Sequence, residues 1–384
     1  MEVRYLATPE EEVEFLKVSS QSFIWKFDAE VDTKTEAPVL GAFSDGRIIA
    51  GAEIMPFSAN YCGNFMNVVV ATGICSVPEC RRMGGVRAIF DKIEETAADE
   101  GWVAGLLFPF SISYYEKFGY ANLARMFAIK VPFSNLTSIP RNTDVILYKD
   151  EYFEEISQLH AKCALKENLM TLHNDKKFFC GNPLETADYT YFHRDENGVA
   201  DGYIRFNVNR PESVCVKELY CLNTSALNAL VGFLRNYDGI TKELVVKDQY
   251  TGSPFALLAD RITGTTYEYN GGAAGRIYDM KKLLELNKYP EAYGHFRLLS
   301  RDNMECNNGI FDVEYQNGKA VVTKCDGGDY DIAVTPPAAA KLLLAGEGHN
   351  ADTAAYINGA EIKGDASDFF RAFPYRPTRF IESF

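Results

Sequence analysis

Residues 10–23 carry Val13, Leu16, Ser20 and Phe23 at the spacing of one helical face, and Thr8-Pro9 precedes them as a start signal, so a helix is predicted over Glu10 to Phe23. Two short runs, Val39 to Phe43 and Arg47 to Met55, flank Ser44-Asp45-Gly46 and read as strands joined by a turn. Asn67 to Val77 is a longer apolar run rich in valine, which suits a central strand. Val86, Ile89, Phe90, Ile93 and Ala97 then return at helical spacing, with Asp91, Glu94 and Glu95 opposite them. Trp102 to Phe108 is a further buried strand, followed by a short helix around Ser113 to Lys117. Strands and helices in this order predict a mixed α/β unit.

The strand-like run Phe127 to Pro132 leads into the turn-rich stretch Asn135 to Asn142, which reads as a first boundary. The next segment repeats the order of the first. A helix is predicted over Glu151 to Leu165, strands over Ala200 to Val208 and Val214 to Cys221, and a helix over Thr224 to Asn236. That last helix turns Leu227, Leu230, Val231 and Leu234 inward, with Thr224 or Ser225 as its N-cap. The segment reads as a degenerate copy of the first unit.

A second boundary falls at Asn270 to Gly275, after which Ile277, Met280, Leu283, Leu284 and Leu286 resume a helical period. Gly309 to Tyr315 and Ala320 to Cys325 form a hairpin around Gln316-Asn317-Gly318-Lys319. Helices over Pro336 to Ala345 and Ser367 to Phe373 complete an α+β unit with one curved sheet. The expected units are 1–134, 135–275 and 276–384.

A chain of 384 residues is too long for one ordinary core, in keeping with two or three domains. Hydrophobic residues at 47% and charged residues at 24% are the balance of a soluble globular protein. No apolar run approaches the roughly 20 residues that span a bilayer. Met1 to Leu6 reads as a strand rather than a signal peptide, so a cytoplasmic protein with no membrane partner is expected. The net charge of −14 and pI near 5.0 argue against a nucleic-acid partner. The same charge attracts polycationic small molecules if carboxylates line a cleft, and otherwise describes a solvated acidic surface. The nine cysteines are scattered, form no CxxC and do not pair with histidines at zinc spacing, so reduced thiols and no metal are expected. His160, on a predicted helix with Ile156 and Leu159, reads as a core or surface residue rather than a ligand.

The distinctive chemistry lies where the valine-rich strand hands over to its helix, through Ile74-Cys75-Ser76-Val77-Pro78-Glu79-Cys80-Arg81-Arg82-Met83-Gly84-Gly85-Val86-Arg87. A helix N-terminus presents unpaired N–H groups and about half a positive charge, which together bind phosphate oxygens. Gly84 and Gly85 admit a close backbone approach, and Arg82 and Arg87 add charge-assisted hydrogen bonds. No Lys-Ser/Thr follows the glycines and no G-x-G-x-x-G is present, which excludes a P-loop and a dinucleotide fingerprint. The second unit has Asn223-Thr224-Ser225 at the corresponding turn, with no arginine or glycine pair, so one anion site per chain is expected.

This turn resembles the Arg/Gln-x-x-Gly-x-Gly/Ala turn of the GNAT superfamily of N-acetyltransferases. With Tyr114-Tyr115-Glu116-Lys117-Phe118-Gly119-Tyr120, Lys217-Glu218-Leu219-Tyr220, Arg276-Ile277-Tyr278-Asp279 and the aromatic end Phe384, the whole chain resembles the enhanced-intracellular-survival (Eis) type. That resemblance implies tandem GNAT-like domains with mixed central sheets and a C-terminal sterol-carrier-protein-like α+β domain. The turn departs from the pattern: counted from Arg82, Arg87 stands where glycine or alanine is expected, and counted from Arg81, Val86 does.

Carried over by position, the resemblance implies acetyl-CoA as co-substrate and a basic amine as acceptor. Backbone groups of Ile74, Cys75 and Ser76 would pair with the pantetheine arm. Arg82, Met83, Gly84, Gly85, Val86 and Arg87 would hold the pyrophosphate, and Phe110 and Ser111 would flank the thioester. Tyr115 is the implied general acid for the leaving sulfur, and the α-carboxylate of Phe384 the implied base, with Glu382 as substitute. An acceptor pocket around Phe23, Trp25, Phe27, Asp28 and Glu30 suits a cation, though the same residues could simply close the first helix over its sheet. Members of that type form closed assemblies, often hexamers, so a homo-oligomer is expected. The alternative function is a hydrophobic-ligand or lipid carrier with a vestigial transferase domain.

Overall fold

Three sheets organise the chain in the computed structural model, which describes residues 1–28, 30–179, 188–249, 252–348 and 350–380. The first unit runs β1 (Glu2–Tyr5), α1 (Pro9–Phe23), β2 (Val39–Ser44), β3 (Arg47–Tyr61), β4 (Asn64–Ser76), α2 (Gly85–Glu100), β5 (Ala104–Leu107), α3 (Ile112–Tyr115) and β6 (Ala121–Asn122). Two-residue turns set the β2–β3 and β3–β4 hairpins. Asp45 and Gly46 have φ of 50° and 77°, and Cys62 and Gly63 have 55° and 88°, the left-handed pair that matches strand twist. Strands β4 and β5 run parallel.

Thr8 caps α1 as predicted, its side chain accepting from the Glu11 amide. The buried face of α1 shares only Ser20 with the predicted one: Phe15, Val18, Ser19 and Ser20 are buried, while Val13 and Leu16 are half-buried and Phe23 is 54% exposed. The reason lies on the sheet. A Cβ on Gly51 would meet the Phe15 ring at 2.6 Å, so the glycine leaves a seat that only Phe15 fills. In α2 the predicted stripe holds, except that Gly85 is buried and Val86 only half-buried.

The second unit runs β7 (Phe127–Pro132), β8 (Ile146–Leu147), α4 (Phe153–Ala164), β9 (Asp188–Arg194), β10 (Ala200–Asn209), β11 (Ser213–Cys221), α5 (Thr224–Leu234), β12 (Glu243–Asp248), α6 (Pro254–Ala259), β13 (Thr266–Tyr269) and β14 (Ala274–Ile277). Asn223 caps α5 by accepting from the Ala226 amide, one position before the expected Thr224 or Ser225. Strand order shows an exchange across the two sheets. The first is β1-β2-β3-β4-β5-β14-β6 and the second is β13-β7-β12-β11-β10-β9-β8. Residues 127–132, placed by sequence in the first unit, thus pair in the second sheet, and Arg276-Ile277, placed at the start of the third, pair with β5 in the first.

The third unit contains α7 (Met280–Leu286), β15 (Gly294–Ser300), β16 (Gly309–Gln316), β17 (Lys319–Cys325), β18 (Ile332–Val334), α8 (Pro336–Ala339), α9 (Ala351–Ala354), β19 (Ala360–Ile362) and α10 (Ser367–Ala372). Its sheet has the order β17-β16-β15-β18-β19. Residues 340–344 continue α8 as a π-helical turn, within the helix predicted there. Buried Arg276 ties this unit to the first, its guanidinium 2.5 Å from Glu94 and 3.1 Å from Asp302. Among the described residues no helix is long and apolar enough to cross a membrane. The eight described cysteines are unpaired.

Candidate active site

Strands β4 and β5 pair only from Val68 opposite Ala104 to Val70 opposite Leu106, yet β4 continues to Ser76 along β3. Beyond Val70, no described strand pairs with the other edge of β4, so alternate backbone groups of the stretch up to Ser76 lie open there. A bulge produces the bend. Gly51 pairs with Cys75 and Glu53 with Thr72, so Gly73 and Ile74 together face Ala52, and Gly73 takes φ of 58°. The Cys75 thiol is buried, and burial pushes it up to about 12, with the nearby Glu53 charge adding to the effect. A thiol raised this far is not a thiolate at neutral pH.

The strand leads through a short turn over Pro78–Cys80 into α2. Arg82 and Gly84 adopt left-handed φ of 68° and 90°. Among the described residues no side chain caps α2, and no acid occupies its first turn, while its first internal bond runs from the Ala88 amide to the Gly84 carbonyl. The amides of Gly85, Val86 and Arg87 precede that bond and point out of the helix end, the arrangement that receives an anion. The two glycines have separate reasons: Gly84 for its conformation, and Gly85 because an added Cβ would lie 2.9 Å from the Ala50 Cβ. Arg82, Met83 and Arg87 are exposed around this end, with the Arg87 guanidinium 5.2 Å over the Phe118 ring.

Tyr115 comes from α3, just past β5. It is 3% exposed, within a cluster of Phe90 at 6.0 Å, Tyr114 at 5.2 Å and Phe110 at 5.6 Å between ring centroids. Burial, helped by the neighbouring Tyr114 and Tyr120, raises its hydroxyl above the ordinary phenol value. The phenol is therefore held protonated at neutral pH. Phe110 is 79% exposed and Ser111 hydrogen-bonds Ser113 at 3.0 Å, so both present themselves at the open end of β5.

The last described residues arrive at the same place. The Asn168 amide donates to the Pro377 carbonyl at 3.0 Å, and the Arg379 amide donates back to the Asn168 carbonyl at 2.8 Å. Buried Arg379 lies 3.4 Å from Glu167, 3.8 Å from Asp248 and 4.5 Å over the Tyr220 ring. Strands β11 and β12 are also parallel and also part, after Val216 opposite Val246. The second unit thus keeps the divergence and seats a tail guanidinium in it. Phe380 exchanges backbone hydrogen bonds with the Gln249 side chain, and its ring stacks on Phe108 at the end of β5. Phe384 and Glu382 lie outside the described residues.

The sequence did not reveal the neighbouring cavity. It holds about 500 Å³ between residues 36–38, strand β3 at 54–58 and the segment 172–178, with Glu36, Glu100, Asp175, Lys177, Trp102 and Phe178 among its walls. The residues expected to form an acceptor pocket sit elsewhere on that loop, with Phe23 and Trp25 exposed. Next to these walls stands Glu53, an acid in an otherwise apolar stretch of β3, within the electrostatic reach of Glu36 and Lys177. His160 is a core residue, as expected: its ring nitrogens meet the Tyr203 hydroxyl at 2.8 Å and the Thr171 carbonyl at 2.7 Å. It also stands with His173 and Glu218 within 4.8 Å in a buried group, but its own ring nitrogens are already engaged.

A parallel strand pair that splays beside an uncapped, glycine-opened helix end defines a class of transferase fold, and the comparisons name it. Residues 2–123 match an acetyltransferase (GNAT) domain, and residues 172–277 match a second acetyltransferase (GNAT) domain. The chain is an acetyltransferase with two GNAT domains in tandem. Among solved structures, a probable N-acyltransferase from Enterococcus faecalis is 18% identical with a TM-score of 0.86, covering 98% of this chain and 97% of its own. A GCN5-related N-acetyltransferase from Anabaena variabilis is 17% identical with a TM-score of 0.83, covering 98% of both chains. Eis1 from Mycobacterium abscessus is 16% identical with a TM-score of 0.76, covering 100% of this chain and 98% of its own. At these identities the likeness is one of fold. No curated protein matches the sequence.

Proposed function

We propose that the chain transfers the acetyl group of acetyl-CoA to a primary amine of a basic acceptor, an aminoglycoside-like polyamine or a lysine side chain. The observation that carries this reading is the open edge of β4 from Gly73 to Ser76, which ends at the uncapped N-terminus of α2. The helix end, Arg82 and Arg87 would receive the pyrophosphate, and Ile74, Cys75 and Ser76 the pantetheine amides. Phe110 and Ser111 flank the thioester. The amine attacks the thioester carbon, the C–S bond breaks, and Tyr115 supplies the proton that the departing thiolate takes. Because a phenol is a weaker acid than a thiol, that proton moves as the bond breaks rather than before it.

The α-carboxylate of Phe384 is assigned to the acceptor, holding its ammonium and able to take a proton. Docking of Arg379 and Phe380 supports this, because four further residues span at most about 14 Å. The third unit, read as sterol-carrier-like, then serves to deliver the tail. Rings of Phe296, Phe369, Phe373, Tyr289 and Tyr315 pack against one another beside its sheet, which favours a scaffold over a lipid carrier. The acidic cavity at Glu36, Glu100 and Asp175 suits a cationic acceptor. The test is acetyl-CoA-dependent thiol release across a panel of polyamines, aminoglycosides and lysine peptides, with acetyl-CoA binding followed by calorimetry. Binding with release for some amine is expected; neither binding nor release sinks the reading.

A further inference from the structure

We propose that Glu53 accepts the proton of the attacking amine, a role that rests on the acetyl transfer described above. Glu53 stands on β3 opposite Thr72, two positions past the last β4–β5 pair at Val70. Its Oε1 lies 3.7 Å from where a Cβ on Gly73 would be, so the carboxyl borders the bare backbone of the splayed strand. With the pyrophosphate at the start of α2, the pantetheine arm runs from Ser76 back to Ile74, and the acyl group arrives at Gly73. Glu53 is therefore at the acyl end.

It is also on the right face. Ala52 and Ile54 pack with α2 in the cluster that holds Tyr115, so by strand alternation Glu53 faces the other way. Phe15 of α1 borders Gly73 on that side, with Cζ also 3.7 Å from the same point. Tyr115 and Glu53 would thus address the thioester from opposite faces of the sheet, one beside the leaving sulfur and one beside the entering nitrogen.

The charged groups that act on Glu53 are Glu36 and Lys177, both walls of the 500 Å³ cavity, and the Cys75 thiol is its titratable neighbour on β4. Burial first, then the Glu36 charge, raises the carboxyl to about 7, while Lys177 opposes the shift. A base poised near neutrality accepts a proton far more readily than an ordinary carboxylate. The balance is simple. The alkylammonium gives one proton to Glu53 and becomes a neutral amine; its nitrogen bonds the carbonyl carbon as sulfur leaves. The thiolate takes its proton from Tyr115, which is reprotonated by solvent, and the nitrogen of the nascent amide gives its extra proton to solvent. Glu53 returns the first proton to solvent, and Phe384 keeps the role of holding the ammonium.

Thiol release is measured against pH, from about 5.5 to 9, for the wild type, E53Q, E53D and E36Q, with acetyl-CoA binding as a control. The wild type should lose kcat/KM as pH falls through about 7, where Glu53 becomes protonated. E53Q should lower kcat by about 100-fold or more and abolish that limb, with acetyl-CoA affinity unchanged; E53D should restore part of the rate. E36Q should move the limb to lower pH, because it removes the like charge. Near-wild-type kcat in E53Q with the limb intact overturns the proposal, and so does an immobile limb in E36Q. Absence of transfer by the wild type is the separate result that overturns the functional reading itself.

Discussion

The ring of Phe380 lies against that of Phe108, centroids 5.2 Å apart and planes 17° from parallel. Phe108 closes β5, two residues before Phe110, so this stack fixes the tail beside the open end of the strand pair. The neighbouring Arg379 is anchored in the second unit by Glu167, Asp248 and Tyr220. The tail thus holds the second domain through Arg379 and the Phe380 backbone, and the first through the Phe380 ring. Phe380→Ala should release the tail from the first domain only. Expected is a fall in kcat/KM of tenfold or more, roughly, for the amine at unchanged acetyl-CoA affinity, with up to about 3–5 kcal/mol of lost stability. Phe380→Leu, which refills the seat, should recover most of the stability. Calorimetry and steady-state kinetics on the two variants read both effects.

Tyr115→Phe removes one oxygen and leaves the ring cluster of Phe90, Tyr114 and Phe110 in place. Stability and acetyl-CoA affinity should stay close to wild type, while kcat falls by about 100-fold, the ordinary worth of a general acid. A kcat within threefold, roughly, of wild type would remove Tyr115 from the mechanism.

Gly84 and Gly85 should fail differently. Gly84→Ala places a side chain at φ of 90°, where nothing lies within 4 Å to clash, so its penalty is conformational, about 1–2 kcal/mol. Gly85→Val forces new atoms against Ala50 and Ile49 and should push α2 off the sheet. Both should weaken acetyl-CoA binding by titration calorimetry, Gly85→Val more. Arg82→Ala should weaken it too, by an amount that shrinks as salt rises.

Glu53 also links activity to stability. Its carboxyl is raised to about 7 in the folded protein, against an ordinary value of 4.5. The folded state thus favours the protonated form, and the stability it gains from Glu53 at low pH is lost as pH rises from about 4.5 through about 7. Glu53→Gln should therefore raise the melting temperature at about pH 8 and change it little at about pH 4. The carboxyl is partly exposed, so solvent trims the effect to at most about 1–2 kcal/mol. Equal melting shifts at both pH values would show that the site exerts no charge-dependent strain.

Local rules were enough for much of this protein. The turn at Asp45-Gly46, the Thr8 cap, the α2 stripe and the Gly84-Gly85 helix opening all follow from neighbouring residues and were legible in the chain, whereas the Cys62-Gly63 hairpin emerged only in the structure. The chain also shows directly that the corresponding turn of the second domain, Asn223-Thr224-Ser225, lacks the arginine and glycine pairs. Tertiary structure alone decided the exchange of β7 and β14, because either strand's pattern suits any sheet with a free edge. It also decided that Phe15 rather than Phe23 enters the core, since the seat is made by Gly51, 36 positions away in sequence. The last step was to bring Glu53 to Gly73 and Arg379 to Tyr220. Charge and burial at such points depend on groups distant in sequence, and only the packed chain puts them within reach of one another.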